Sequence, residues 1–156
     1  KKFWNFERKE KAKQAGFTES EIVTLASIVD EETDNEAEMP KIAGMYINRL
    51  HMNMPLQADP TIKFATKNFT AHRIYQKWLT IDNPYNTYKY RGLPPGPIRI
   101  PSVSAIDAVL NYVHHDYIYM CAKEDFSGTH NFAKTYEEHQ VNAAKYAEAL
   151  NEHGIN

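Results

Sequence analysis

Apolar residues recur at Ile22, Leu25, Ile28 and Val29, the spacing of one helical stripe, and the next position on that stripe is Glu32. The stretch from Leu25 begins as apolar helix, Leu25-Ala26-Ser27-Ile28-Val29, and ends in three carboxylates, Asp30-Glu31-Glu32, before Thr33 and a polar turn. Asp30 and Glu31 project to either side of the stripe, whereas Glu32 points where the core points. A carboxylate in that position has a raised pKa unless it is paired, and such a group can serve as an acid near neutral pH. The same pattern also fits a helix that has run out of core, with Glu32 reaching solvent at its last turn. Periodicity does not choose between the two.

The remaining pattern predicts a mostly helical chain. Charged residues with Phe3, Phe6 and Ala12 between them indicate an exposed helix up to Ala15, stopped by Gly16. Thr18 and Glu21 have capping-box spacing and open the helix that carries Glu32. After a polar loop, Met39, Ile42, Ala43, Tyr46, Ile47 and Leu50 mark a second amphipathic helix over about Met39 to His51, with Asn48 and Arg49 off the stripe. The short link favours an antiparallel pair. Asp59-Pro60-Thr61 reads as a helix start with Asp59 as cap, and Thr70 to Trp78 as another short helix. Tyr85 to Tyr90 alternates like a strand. Gly92 to Pro101 holds four of the eight prolines in ten residues; such a run neither joins a central ladder nor continues a helix. The Leu and Ile spaced through it suggest packing on the body in place of a linker. A helix follows from Ser102 to about Val113, then a hairpin of Tyr117 to Cys121 and Thr129 to Phe132, then a final helix from Thr135 to about Leu150 with Glu138 in capping-box spacing.

With 156 residues, 42% of them hydrophobic, the chain can bury one sizeable core. Its net charge of −2, with acids and bases mixed, lacks the electrostatic footprint of a nucleic-acid binder. The single cysteine, Cys121, lies in an apolar run and reads as a core residue. No stretch is long and apolar enough to span a membrane. The chain opens on Lys1-Lys2-Phe3-Trp4, which reads as part of something longer, so the lack of a visible targeting segment carries no weight.

Few constellations carry chemistry. The seven histidines include no His-x-x-x-His pair, and no metal is expected. A Gly-x-Ser-x-Gly elbow and a glycine-rich phosphate loop are both missing. Asp59 is the best partner carboxylate for Glu32, although its position before Pro60 is better accounted for by a helix-capping role. Asn48, Gln57, Tyr85, Asn86 and Tyr88 suit a hydroxyl- and amide-rich ligand such as a sugar, since aromatic faces stack on pyranose rings and amides both donate and accept.

Five segments together resemble a known family. Leu25 to Thr33, Ile47-Asn48-Arg49-Leu50, Met54 to Thr61, Tyr85-Asn86-Thr87-Tyr88 and Gly92 to Ile98 are similar, in order and spacing, to the MltG/YceG-like endolytic murein transglycosylases. The resemblance covers the chain from about Thr18 onward. It implies an α+β domain, predominantly helical with a small antiparallel sheet, and lysozyme-like in carrying its catalytic Glu on a helix. Residues 18–156 would form the catalytic domain and residues 1–17 the end of a connecting helix. The family's catalytic glutamate falls on Glu32; its frequent Glu at the next-but-one earlier position is Asp30 here, which argues against an essential role there.

The implied reaction cleaves the MurNAc-β-1,4-GlcNAc bond of peptidoglycan strands and leaves 1,6-anhydromuramoyl ends, with Glu32 acting first as acid and then as base. One carboxylate then suffices where a hydrolase generally needs two. Asn48, Gln57, Asp59, Tyr85, Asn86 and Tyr88 would bind substrate, with no cofactor. The resemblance further implies a bacterial cell envelope, an extracytoplasmic catalytic domain, an inner-membrane anchor upstream, often with a LysM-like domain, and cell-wall synthesis complexes as partners. A peptidoglycan-binding scaffold without turnover is the alternative from another class. The label aminodeoxychorismate lyase, sometimes attached to the family, fits poorly: that chemistry needs pyridoxal phosphate, a Schiff-base lysine and a phosphate cradle.

Overall fold

The computed structural model describes residues 2–70 and 74–154. Three helices make the core: α2 (Glu19–Glu32), α3 (Met39–His51) and α5 (Val103–Leu110). From α2 come Ile22, Leu25, Ile28 and Val29; from α3, Ile42, Met45, Tyr46 and Ile47; from α5, Ala105, Ile106 and Val109, all buried together. Burying such side chains is the main stabilising contribution, of order 1.5–3 kcal/mol each. The hydrophobic stripe predicted for α2 is therefore the one that packs.

Local signals set the ends of these helices. Thr18 Oγ1 accepts from the Glu21 amide (3.1 Å) and Glu21 Oε1 accepts from the Thr18 amide (2.9 Å), the reciprocal box the spacing predicts. The first helix, α1 (Phe6–Ala15), ends at Gly16, whose φ of 84° suits glycine. Arg8 anchors α1 to α5 through two hydrogen bonds to the Asp107 carboxylate, 2.9 and 3.1 Å long.

Gly44 on α3 permits a close backbone approach in the core. A Cβ there would lie 2.2 Å from the Val113 carbonyl oxygen. That approach seats the segment after α5 against α3, where Val113 donates its amide to the Pro40 carbonyl at 3.0 Å.

The proline-rich loop packs on the body as expected. Leu93 and Ile98 sit against the core, the Ile98 amide donates to Ser27 Oγ at 3.0 Å, and Arg99 reaches Glu31 at 3.0 Å. The small sheet is an antiparallel pair, β1 (Tyr119–Ala122) with β2 (His130–Ala133), in the register Tyr119↔Ala133 to Ala122↔His130. The final helix, α6 (Tyr136–Glu152), opens with the predicted Thr135–Glu138 capping box and packs on the hairpin. The α+β architecture, predominantly helical with a small antiparallel sheet, is the one expected.

Several boundaries differ from expectation, each for an identifiable reason. Helix α4 spans Asp59–Thr66, but its N-cap is Ala58; Asp59 is its first residue and makes no capping bond. Tyr85–Tyr90 is not a strand. Asn86, fully buried, donates to the Leu79 and Ile81 carbonyls (3.0 and 2.8 Å) and accepts from the Tyr88 amide (2.9 Å), folding the segment into turns. The hairpin strand starts at Tyr119 and not Tyr117, because side chains of α3 capture the preceding carbonyls. Asn48 donates to those of His115 and Tyr117 (2.7 and 2.9 Å), and Arg49 to that of Ile118 (2.6 Å). The helix expected over Thr70 to Trp78 includes three positions outside the described residues; its described end holds one 3-10 turn, Gln76–Trp78. Among the described residues, no helix is long and apolar enough to cross a membrane.

Candidate active site

Glu32 ends α2 with its side chain at the floor of a cleft of about 550 Å³. One wall is built from α3 and α4, the other from β1 and α6. A second cavity, also about 550 Å³, is lined by the end of α2, the α2–α3 loop and the hairpin turn Phe126–Gly128. Glu31 and Glu32 line both, so the two cavities meet at the end of α2.

The Glu32 side chain keeps some accessible surface but is enclosed by protein on most sides. Burial raises its pKa from 4.5 to about 8, and the nearby charge of Asp59 pushes the same way. Lys63 and a hydrogen bond with Tyr46 oppose the shift without cancelling it. At neutral pH the carboxyl is therefore mostly protonated, and it has a proton to give. Burial and the Glu32 charge hold the Tyr46 phenol well above its ordinary pKa, so it remains a neutral donor.

Asp59 stands across the cleft floor on the first turn of α4. Its Oδ1 accepts a 2.6 Å hydrogen bond from the Tyr88 hydroxyl. Asp59 keeps open surface on the cleft, yet the surrounding protein raises its pKa, a shift that the Tyr88 bond and Lys63 oppose. Gln57 reaches the cleft from a left-handed backbone (φ 49°), with its amide bound to the Thr87 carbonyl at 3.1 Å.

Four of the sequence-predicted residues thus come together: Glu32, Gln57, Asp59 and Tyr88. Three do not reach the cleft. The Asn48 amide is taken up by the His115 and Tyr117 carbonyls. Asn86 is buried beneath the turn that presents Tyr88. Tyr85 packs its ring on Phe64, centroids 4.9 Å apart. Asn48 and Asn86 shape the walls from behind.

Sequence reasoning missed the groups around the acid. By spacing alone, Tyr46 is only a member of the α3 stripe. Arg49, buried and bonded to the Ile118 and Pro55 carbonyls, lies with its guanidinium 5.1 Å from the Tyr119 ring centroid. Lys63 follows Asp59 by four residues on α4, a spacing that could have paired them. The cleft-facing side of α6 was also overlooked. There His139 stacks on Tyr119 (5.1 Å, 18° between planes), burial lowers its pKa, and its Nδ1 is the one buried side-chain polar atom without a partner among the described residues. Among those residues no three His, Cys, Asp or Glu side chains gather as a metal would require.

A family model described as YceG-like matches residues 1–145. The chain belongs to the YceG-like family. It is 42% identical over 131 residues to a Bacillus subtilis protein named endolytic murein transglycosylase, a match covering 84% of this chain and 36% of that one. A Streptococcus pneumoniae protein of the same name is 34% identical over 138 residues, covering 86% of this chain and 25% of the relative. The crystal structure of a YceG-like protein from Listeria monocytogenes aligns with a TM-score of 0.77 at 34% identity, over 86% of this chain and 43% of that one. The chain therefore spans 25% to 36% of the length of the curated relatives it matches.

Proposed function

We propose that this YceG-like domain is the catalytic part of an endolytic peptidoglycan transglycosylase, with Glu32 as its only proton-transfer group. The observation that carries the reading is a carboxyl held neutral, with a pKa of about 8, in a groove made of two cavities that meet at it. A polymer can pass such a groove without ending in it, in keeping with cleavage inside a strand. The names of the relatives from Bacillus subtilis and Streptococcus pneumoniae support the substrate class.

In this reading Glu32 gives its proton to the glycosidic oxygen as the bond from that oxygen to the muramoyl anomeric carbon breaks. The GlcNAc leaves with a free 4-hydroxyl, and positive charge develops at the anomeric carbon. The Glu32 carboxylate then takes the proton of the muramoyl C6 hydroxyl, whose oxygen bonds to the anomeric carbon. The product is a 1,6-anhydromuramoyl end; no water is consumed, and Glu32 finishes protonated as it began. The Asp59 carboxylate charge that acts on Glu32 would also favour the developing positive charge from across the cleft floor. An extracytoplasmic location, with the inner-membrane anchoring and synthesis complexes the resemblance implies, belongs to the same proposal.

The test is product analysis of purified glycan strands, wild type against Glu32→Gln. The wild type should yield anhydromuramoyl ends and the variant none, with circular dichroism unchanged. Anhydro ends from the variant would remove Glu32 from the mechanism. Reducing ends in place of anhydro ends would make the protein a hydrolase.

A further inference from the structure

Helix α6 has 17 residues, yet only Ala149 and Leu150 are buried. Its inner stripe, Tyr136, His139 and Gln140, Ala143 and Tyr146, follows the i, i+3/i+4, i+7, i+10 spacing of one helical face, and all five line the cleft opposite Glu32. A helix that packed to complete a core would carry aliphatic residues there. This one carries aromatic rings with polar tips and a carboxamide.

The stripe has a rigid backing. His139 stacks on Tyr119, and the Tyr119 ring lies 5.8 Å from that of Tyr136. Tyr136 is nonetheless 55% exposed, so its outward surface is open to the cleft. At the other end Tyr146 lines a smaller cavity that also contains Glu32, and its ring meets Phe126 edge-on at 6.0 Å. From Tyr136 to Tyr146 the stripe spans roughly 15 Å at the helical rise. Between the tyrosines the small side chain of Ala143 leaves a notch.

We propose that the inner face of α6 is the glycan-binding wall of the site. Tyr136 and Tyr146 stack on hexosamine rings, Gln140 hydrogen-bonds their hydroxyl or acetamido groups, and the Ala143 notch admits a ring substituent. The inference rests on the transglycosylase reading and deepens it: Glu32 at the end of α2 carries the acid–base chemistry, and α6 carries affinity and register. The chemical fit is specific. A pyranose offers an apolar C–H face to an aromatic ring and a rim of donors and acceptors to an amide, which is both in turn.

The test measures binding apart from turnover, in the full-length protein carrying Glu32→Gln. Soluble N-acetylglucosamine oligomers and purified glycan strands are titrated by calorimetry. Adding Tyr136→Ala should weaken binding roughly tenfold. Ala143→Leu, which removes no contact and fills the notch, should weaken it comparably. Val141→Ala on the outer face, where Val141 is 57% exposed, should change nothing. If strands bind and neither Tyr136→Ala nor Ala143→Leu alters the affinity, this inference is overturned, while anhydro ends from the wild type keep the transglycosylase reading intact. If strands are not bound even by the parent Glu32→Gln protein and the wild type makes no anhydro ends, both fall.

Discussion

Asp30 Oδ2 accepts a 2.7 Å hydrogen bond from the backbone amide of Ser102, 72 residues away in sequence. Ser102 is the N-cap of α5, so the bond ties the end of α2, just before Glu32, to the start of α5. The Asp30 residue is buried, and Arg99 Nε approaches the same oxygen at 3.9 Å. Asp30→Ala would leave the Ser102 amide unpaired and should cost about 1–3 kcal/mol. Asp30→Asn keeps an accepting oxygen and should cost less. Urea midpoints of the two variants measure this, and an alanine variant as stable as wild type would contradict it.

The elevated pKa of Glu32 predicts how stability varies with pH. The folded value is about 8 against 4.5 for an ordinary glutamate. Between those limits the folded state holds a proton that the unfolded state has lost, so stability falls as pH rises through the window and is level on either side. Glu32→Gln removes this dependence. The variant should match wild type near pH 4.5 and exceed it above pH 8. Denaturation curves at both ends of the window would show it; parallel losses in the two proteins would assign the titration to another group.

Asp59 and Glu32 interact electrostatically across the cleft floor. Asp59→Asn removes the negative charge and keeps an oxygen for the Tyr88 hydroxyl. Other charged and titratable groups face Glu32: Glu31 on α2, Tyr46 and Arg49 on α3, Lys63 on α4, and His130 and His139 from the opposite wall. None of them is altered by the substitution. The Glu32 pKa should therefore drop below about 8, and the alkaline limb of the rate profile should move to lower pH. A limb that stays where it was would show that Asp59 does not act on Glu32.

Gly44→Ala sets two effects against each other. Alanine favours the helix by up to about 1 kcal/mol. Its Cβ would stand 2.2 Å from the Val113 carbonyl oxygen, a backbone atom that cannot swing aside as a side-chain tip can. Overpacking of this kind typically costs about 1–3 kcal/mol, so the clash wins and the melting temperature should fall. An unchanged melting temperature would mean that the segment after α5 shifts freely.

Local signals were legible wherever neighbours in sequence determine the outcome. The capping boxes at Thr18 and Thr135, the stop at Gly16 and the α3 stripe needed no tertiary information. The Tyr85–Tyr90 segment misled because its alternation is real but its conformation is set by Asn86, whose amide finds carbonyls of the preceding turn. Asn48 misled in the same way. A polar residue off the apolar stripe looks available for a ligand, and only the fold shows that the His115 and Tyr117 carbonyls need its donors.

For Glu32, the sequence by itself determined that a carboxylate follows the last apolar turn of a buried stripe. It left open whether that turn frays into solvent or points into a site, because periodicity specifies direction and not what lies there. The tertiary structure decided the matter by bringing Tyr46, Asp59 and the hairpin around the acid, from segments distant in the chain. Desolvation depends on everything within reach of a group, whatever its place in sequence. That is why a helix-ending glutamate became a carboxyl with a pKa of about 8, while Asp30 and Glu31 beside it became ties to the Ser102 amide and to Arg99.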